Sequence, residues 1–349
     1  MAKKTRQGTT TASGGQAGFG FGPDLAVGCG SDELQAALTG AYRTSAQDVL
    51  SELWEADVER LCGERWKPRP RSKVTRAGWC ACQIFLGGER VSLRRPRVRS
   101  VKGKEIELPT VKAAADRDLL DRAALEDVTA SITTGAFPPA RHSRDEIAAD
   151  FVTGLSARMS AVQAIPRGNF EPGLLVASID FPDQSFLGAV GIDEKGGRKL
   201  AGLRAGSSTN PEAVAGFLDD LVARHRRSAP PELFFVGEEP VIHDAIREHF
   251  GASAIFQRSC HEKRRRVLGL LPPSLQPSVL ESLLDAYGTT DAGAAAKELE
   301  AIADSLGRNH PEAAGALTEG LPETLTLHQL GGRGGRPAAP KGRSAQPNA

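Results

Sequence analysis

From Ser31 onward, Leu34, Ala37, Leu38 and Ala41, then Val49, Leu50, Leu53, Trp54, Val58 and Leu61 recur at helical spacing and predict one or two amphipathic helices. The period then shortens to two. Ile84 and Leu86, then Val91 and Leu93, alternate around Gly87-Gly88 and predict a β-hairpin. Pro96 and its arginine neighbours predict an edge strand for the second arm, because proline gives no N–H to a ladder and charge discourages further pairing. Helical spacing returns over 112–165 in two segments, 116–131 and 143–164, around a Gly/Pro break at 135–139. Ser143 with Glu146 has the form of a capping box. The two segments are also a candidate helix-turn-helix, although the second has few basic residues, Arg144 and Arg158.

The block 172–257 is the most informative. LLVASIDF, QSFLGAVGID and GRKLAGLRA read as three short strands joined by turns. A helix follows, with Asn210 as cap and Pro211 in the first turn, then strand ELFFV, a helix over Pro240–Phe250 and strand AIFQ. Three meandering strands followed by alternating helix and strand is the order of an RNase H-like α/β core. From 272 to 330 the pattern is helical again, and the last residues, GGRGGRPAAPKGRSAQPNA, have no apolar period. The expected organisation is a disordered leader (1–30), a helix plus basic hairpin (31–111), a helical region (112–170), the RNase H-like core (171–271), a helical region (272–330) and a disordered tail (331–349).

Composition narrows the class. A chain of 349 residues, 40% hydrophobic and 25% charged, is long enough for two domains with cores of their own. No run approaches about 18 uninterrupted apolar residues, and none follows the basic N-terminus, so neither a membrane span nor a secretory signal is expected. Five cysteines form no metal-binding spacing and point to a reducing cytoplasm. Lys+Arg number 44 against 43 Asp+Glu, yet the balance hides segregation: 31–59 carries seven acids and one arginine, whereas 60–104 carries 14 Lys/Arg against two acids.

That basic segment is an electrostatic footprint for nucleic acid. Its hairpin carries Arg94, Arg95, Arg97 and Arg99, preceded by Lys67, Arg69, Arg71, Lys73 and Arg76. Trp66 and Trp79 lie within it, either to stack on bases or, as is commoner, to pack the sheet. Lys263, Arg264, Arg265 and Arg266 form a second cationic run, suited to a phosphate backbone or to a solvated helix face. Asp180, closing the first core strand, is a candidate metal ligand for phosphoryl transfer, or a turn residue in SIDFPDQS. Glu238 and Glu239 end the fourth strand, where they can reach such a site or complement the next helix dipole. Cys260-His261 invites a zinc reading, but no second pair has the spacing for it.

In order along the chain, VSLRRPRVRS with EIELP, LLVASIDF, GAVGIDEKGGRKLAGLRAGSSTNPEAVAGFLDDLV, ELFFV with HDAIREHFG, FQRSCHEKRRRVLGLLP and EGLPETLTLHQLG resemble the Mutator-type transposases of bacterial insertion sequences, over roughly 75–330. The resemblance implies an RNase H-like enzyme that cuts and joins DNA strands, with two Mg2+ ions held by an Asp-Asp-Glu set. It also implies an all-helical insertion before the last acid, double-stranded DNA element ends as partner, and a homo-oligomer on paired ends. Asp180 matches the first aspartate and Gly237 the second. Ser259 and Glu262 match the family's Cys and His, with Cys260 and His261 close by. The family's last glutamate belongs to a Thr-Asn-x-Ile-Glu-Ser stretch beyond LTLHQLG, where this chain reads GGRGGRPAAPKGRSAQPNA. The expectation is therefore a degenerate, C-terminally truncated member that binds DNA and is catalytically impaired, with Mg2+ relevant only to an active enzyme. The alternative is an active strand-transfer enzyme using Asp180 and Glu238.

Overall fold

The first apolar pattern folds as one 32-residue helix, α1 (Ser31–Cys62), in the computed structural model, which describes residues 30–67, 73–135, 145–164, 169–193, 195–225 and 229–331. Residues 1–29 of the expected leader, 332–349 of the tail, the Ser143 cap and Arg69, Arg71 and Arg144 lie outside the described residues. The hairpin follows as β1 (Val74–Leu86) and β2 (Glu89–Ser100), with Leu86 opposite Glu89 across Gly87-Gly88. Both glycines have positive φ, 59° and 77°, the geometry a two-residue hairpin turn requires. Asp118 fixes the tip by accepting from the N–H groups of Gly87 (3.0 Å) and Gly88 (2.7 Å), and Arg43 of α1 donates to the Leu86 carbonyl.

Pro96 lies in β2 opposite Trp79, beside a register irregularity between Arg76 and Trp79. A two-residue strand, β3 (Glu105–Ile106), pairs with Val98 and Arg99, so the outer edge of β2 is covered only at its end. Trp66 is 93% exposed and Trp79 42% exposed. Both stand outside the core, against the expectation that they pack the sheet. Trp66 lies past the end of α1 at positive φ, and Trp79 beside the register irregularity.

Three helices follow: α2 (Pro109–Asp116), α3 (Arg122–Thr134) and α4 (Glu146–Ala164). Asp57 of α1 caps α2 by accepting from the Thr110 N–H (2.9 Å) and hydroxyl (2.6 Å). Arg158, on the second segment of the candidate helix-turn-helix, is ion-paired with Asp48 and Glu52 of α1.

The second sheet contains β4 (Gly173–Asp180), β5 (Ser185–Ile192), β6 (Arg198–Ala205), β7 (Leu233–Val236) and β8 (Phe256–Arg258) in the order β6-β5-β4-β7-β8. The first three form an antiparallel meander; β7 is parallel to β4 and β8 to β7. The crossovers are α5 (Pro211–Arg224), capped by Asn210, and α6 (Pro240–Phe250). Alternation along β4 builds two cores. Leu174 and Val176 join Phe217, Leu221 and Ile246 on the side of α5 and α6, while Leu175, Ala177 and Ile179 join Leu34, Leu38 and Phe151 on the other. Helix α1 therefore spans the far face of this sheet. It comes close enough at Gly188 that any side chain there would meet Leu34.

Beyond β8 the chain is helical: α7 (Cys260–Gly269), α8 (Gln276–Gly288), α9 (Ala292–Gly307), α10 (Pro311–Thr318), α11 (Leu321–Thr324) and α12 (Thr326–Gly331). The protein is thus a mixed α/β fold with two sheets, and no described helix is long and apolar enough to cross a membrane.

Candidate active site

Parallel strands β4, β7 and β8 end at one edge of the sheet, the usual place for a ligand site in an α/β fold. Asp180 closes β4 with its side chain exposed, and its backbone carbonyl accepts from Arg122 at 3.2 Å. Beyond β7 come Gly237, Glu238 and Glu239, and beyond β8 come Ser259 and the start of α7. The Ser259 N–H donates to the Val236 carbonyl, which holds the two strand ends together.

Glu238 does not face Asp180 as a free carboxylate. Its Oε2 accepts from Lys263 Nζ (2.7 Å) and Arg266 (3.1 Å), and its side chain is 13% exposed. Lys263 is fully buried and also donates to the carbonyls of Ala316 (3.1 Å) and Glu319 (2.7 Å), while Arg266 pairs with Glu319. Glu238 is therefore the anion of a network tying α7 to the end of α10.

Gly237 stands where the second acid was expected. Its φ is not positive, so the backbone would admit any residue. The neighbours would have to shift: a Cβ there would run into Oε2 of Glu239 and Oε2 of Glu262, the far ends of two acidic side chains. Glu262 is 7% exposed, and its Oε1 accepts from the Ser31 N–H (3.0 Å) and hydroxyl (3.1 Å), capping the N-terminus of α1 from 231 residues away. Ser259 in turn caps α7 by accepting from the Glu262 N–H. The two positions matched to the family's Cys and His thus serve as helix caps here.

Glu239 Oε2 is buried without a hydrogen-bond partner. Burial, followed by the charges of Glu262, Glu238 and Asp180, holds the Glu239 carboxyl above its ordinary value of 4.5. The folded chain therefore binds this proton more tightly than the unfolded chain. The resulting stabilisation is full below the unfolded value and is lost as pH rises through the folded one. Glu239→Gln is expected to be more stable than the parent at neutral pH, with the difference shrinking towards about pH 4. Urea unfolding across that range checks it; a parallel pH dependence in both proteins would contradict it.

His243, 2% exposed, sits within 3.0 Å of the Gly237 carbonyl through Nε2, which must carry the proton because a carbonyl only accepts. Burial and the Arg258 charge lower its pKa and keep it neutral. Cys260 is buried and donates to the Thr324 carbonyl, and burial pushes its thiol up to about 12, far from the thiolate a metal would need. Among the described residues, no group of three or more His, Cys, Asp or Glu side chains is placed to hold a metal ion.

The basic hairpin is also divided. Arg95 (3.2 Å) and Arg97 (2.6 Å) share the Glu105 carboxylate, and its pairing with Arg97, then Arg95, lowers the Glu105 pKa. Arg94 and Arg99 are exposed and have no ion pair among the described residues. Of the second run, Lys263 and Arg266 are engaged as above, Arg265 is exposed, and Arg264 is 8% exposed. Sequence reasoning grouped these cations and missed Glu262 as a helix cap, because its partner Ser31 is remote in the chain.

Residues 182–334 match the family model of the Mutator family of transposases, from just past Asp180 through α12. The match covers less than half of the chain, and over those residues the sequence is similar to that family. No curated protein matches the chain.

Proposed function

We propose that this chain is a DNA-binding, transposase-like protein whose catalytic centre is impaired. The observation that carries this reading is the filled space at Gly237, where the carboxylates of Glu239 and Glu262 occupy the position of the missing acid. The sheet order, a meander followed by two parallel crossovers, supports an RNase H-like core, with the helices after 272 as the family's helical insertion. The donor set does not suit two Mg2+ ions. Asp180 is exposed, Glu238 is held by two cations, and Glu262 is committed to α1. No step is therefore assigned to a metal, and the rival, an active enzyme using Asp180 and Glu238, is disfavoured by the same ion pairs. Free thiols at Cys62, Cys80, Cys82 and Cys260 support a reducing, cytoplasmic setting. A homo-oligomer is supported by the family resemblance alone.

The chain's part is to bind duplex DNA through phosphate contacts. Arg94 and Arg99 are free to make them, while Arg95 and Arg97 must first give up Glu105. Arg94→Ala/Arg99→Ala is expected to weaken binding to an element-end duplex and to reduce the slope of log affinity against log salt by about two. Arg95→Ala/Arg97→Ala is expected to do less. Equal affinity for all three proteins between 50 and 200 mM salt, a range over which about six phosphate contacts would change affinity by orders of magnitude, would overturn the hairpin assignment. Cleavage of the same duplex in Mg2+ or Mn2+, abolished by Asp180→Ala, would overturn the impairment.

A further inference from the structure

Arg264 is a cation that the fold leaves without an anion among the described residues. It is 8% exposed overall and makes no hydrogen bond or ion pair there, although its neighbours Lys263 and Arg266 are both engaged. Its stem is buried, whereas none of its nitrogens is among the buried unpartnered polar atoms, so the charged head opens to solvent and stays available to a ligand. Arg264 lines an open groove of about 510 Å³ between α7 and α8. His261 and Arg265 share its wall, and Leu268, Leu280 and Leu284 give it an apolar side. The spacing explains the arrangement: 261, 264, 265 and 268 fall on one face of α7, and 280 and 284 on one face of α8. Leu284 remains 47% exposed, an apolar surface left uncovered beside the cations. His261 pairs with Asp32 of α1 at 3.4 Å, so the groove has an acid at its margin, but none of its lining residues is acidic.

We propose that this groove is a nucleotide subsite. Arg264 and Arg265 hold a backbone phosphate of a nucleic-acid strand, and the attached sugar and base lie against Leu268, Leu280 and Leu284. The proposal rests on the DNA-binding reading above and separates Arg264 from the cations that only brace the fold. A guanidinium fork matches a phosphate in two hydrogen bonds, and a ligand with both an anion and a flat apolar body suits a wall that is cationic on one side and aliphatic on the other.

The test uses the full chain and a labelled 30-nucleotide mixed-sequence strand, alone and as its duplex, followed by fluorescence anisotropy at several salt concentrations. Arg264→Met removes the charge and keeps the stem. Its melting temperature should stay level, because the buried stem is kept and no ion pair is lost, while affinity for at least one form of the DNA falls about ten-fold and the salt slope falls by about one. Arg264→Lys keeps a point charge without the fork, so a loss of about three-fold is expected from it, and it serves should the methionine variant not fold. Lys297→Ala, which removes an exposed cation on α9, should bind as the parent does. Parent-like DNA binding by a folded Arg264 variant would overturn the subsite and leave the DNA-binding reading standing. No DNA binding by the parent would overturn both. Capture of a poly-glutamate peptide that depends on Arg264, with DNA binding unchanged, would assign the groove to an acidic protein partner and likewise overturn the proposal.

Discussion

Replacing Lys263 with methionine is expected to lower the stability of the chain by about 3–5 kcal/mol, the range for breaking a buried ion pair from one side. The Lys263 side chain is wholly buried, and its ammonium donates to Glu238 Oε2 and to the carbonyls of Ala316 and Glu319. The two carbonyls lie at the C-terminal end of α10, where a helix leaves acceptors unpaired and a cation complements the dipole. Without Lys263, Glu238 keeps only Arg266, and its Oε1 already lacks a partner. Two backbone acceptors would lose their donor in the same step. Urea unfolding at neutral pH measures the change. Lys263→Met/Glu238→Met should lose less than the single lysine variant, because no carboxylate is then stranded. A loss below about 1 kcal/mol for Lys263→Met, the scale of an exposed pair, would show that this network does not hold α7 to α10.

Gly237→Asp is the change that formally restores the family's second acid, and it is expected to destabilise the protein by about 2–4 kcal/mol without creating activity. The new Cβ would meet the carboxylates of Glu239 and Glu262, and the new charge would join two acids already crowded together. Movement of Glu262 would also release the cap on Ser31 at the start of α1, the helix that covers one face of the core sheet. Gly237→Ala separates the causes: it keeps the steric conflict and omits the charge, so it should cost less. Gly237→Asp/Glu239→Gln should recover part of the aspartate loss by removing one of the opposing charges. Thermal unfolding of the set, with and without Mg2+, checks the argument. A Gly237→Asp protein as stable as the parent, or selectively stabilised by Mg2+, would contradict it.

Much of the fold was legible because it depends on local pattern. The hairpin followed from alternation around two glycines, and α5 and α6 followed from Pro211 and Pro240 at helix starts. The meander and its parallel additions followed from apolar runs separated by turn residues. The candidate site was less legible, because its properties are set by partners remote in sequence. Glu238 was named as a possible acid, but Lys263, Arg266 and Glu319 decide what it does. Glu262 meets Ser31 across nearly the whole described chain. Four adjacent cations look equivalent in a string, yet helical geometry sends Lys263 inward to Glu238, Arg266 to Glu319 and Arg264 into a groove. Arg95 and Arg97 were likewise counted with Arg94 and Arg99, and only the pairing of β2 with β3 brings Glu105 to them. Trp66 and Trp79 depend on a loop and a register irregularity that apolar periodicity does not encode.

Glu238, Glu239 and Glu262 are taken up by ion pairs, burial and a helix cap, which leaves exposed Asp180 without the partners a metal centre needs. Titration of the full chain with Mn2+, followed by its electron paramagnetic resonance signal at neutral pH, is expected to show no saturable site and no difference between the parent and Asp180→Ala. Stoichiometric Mn2+ binding that Asp180→Ala removes would contradict that reading.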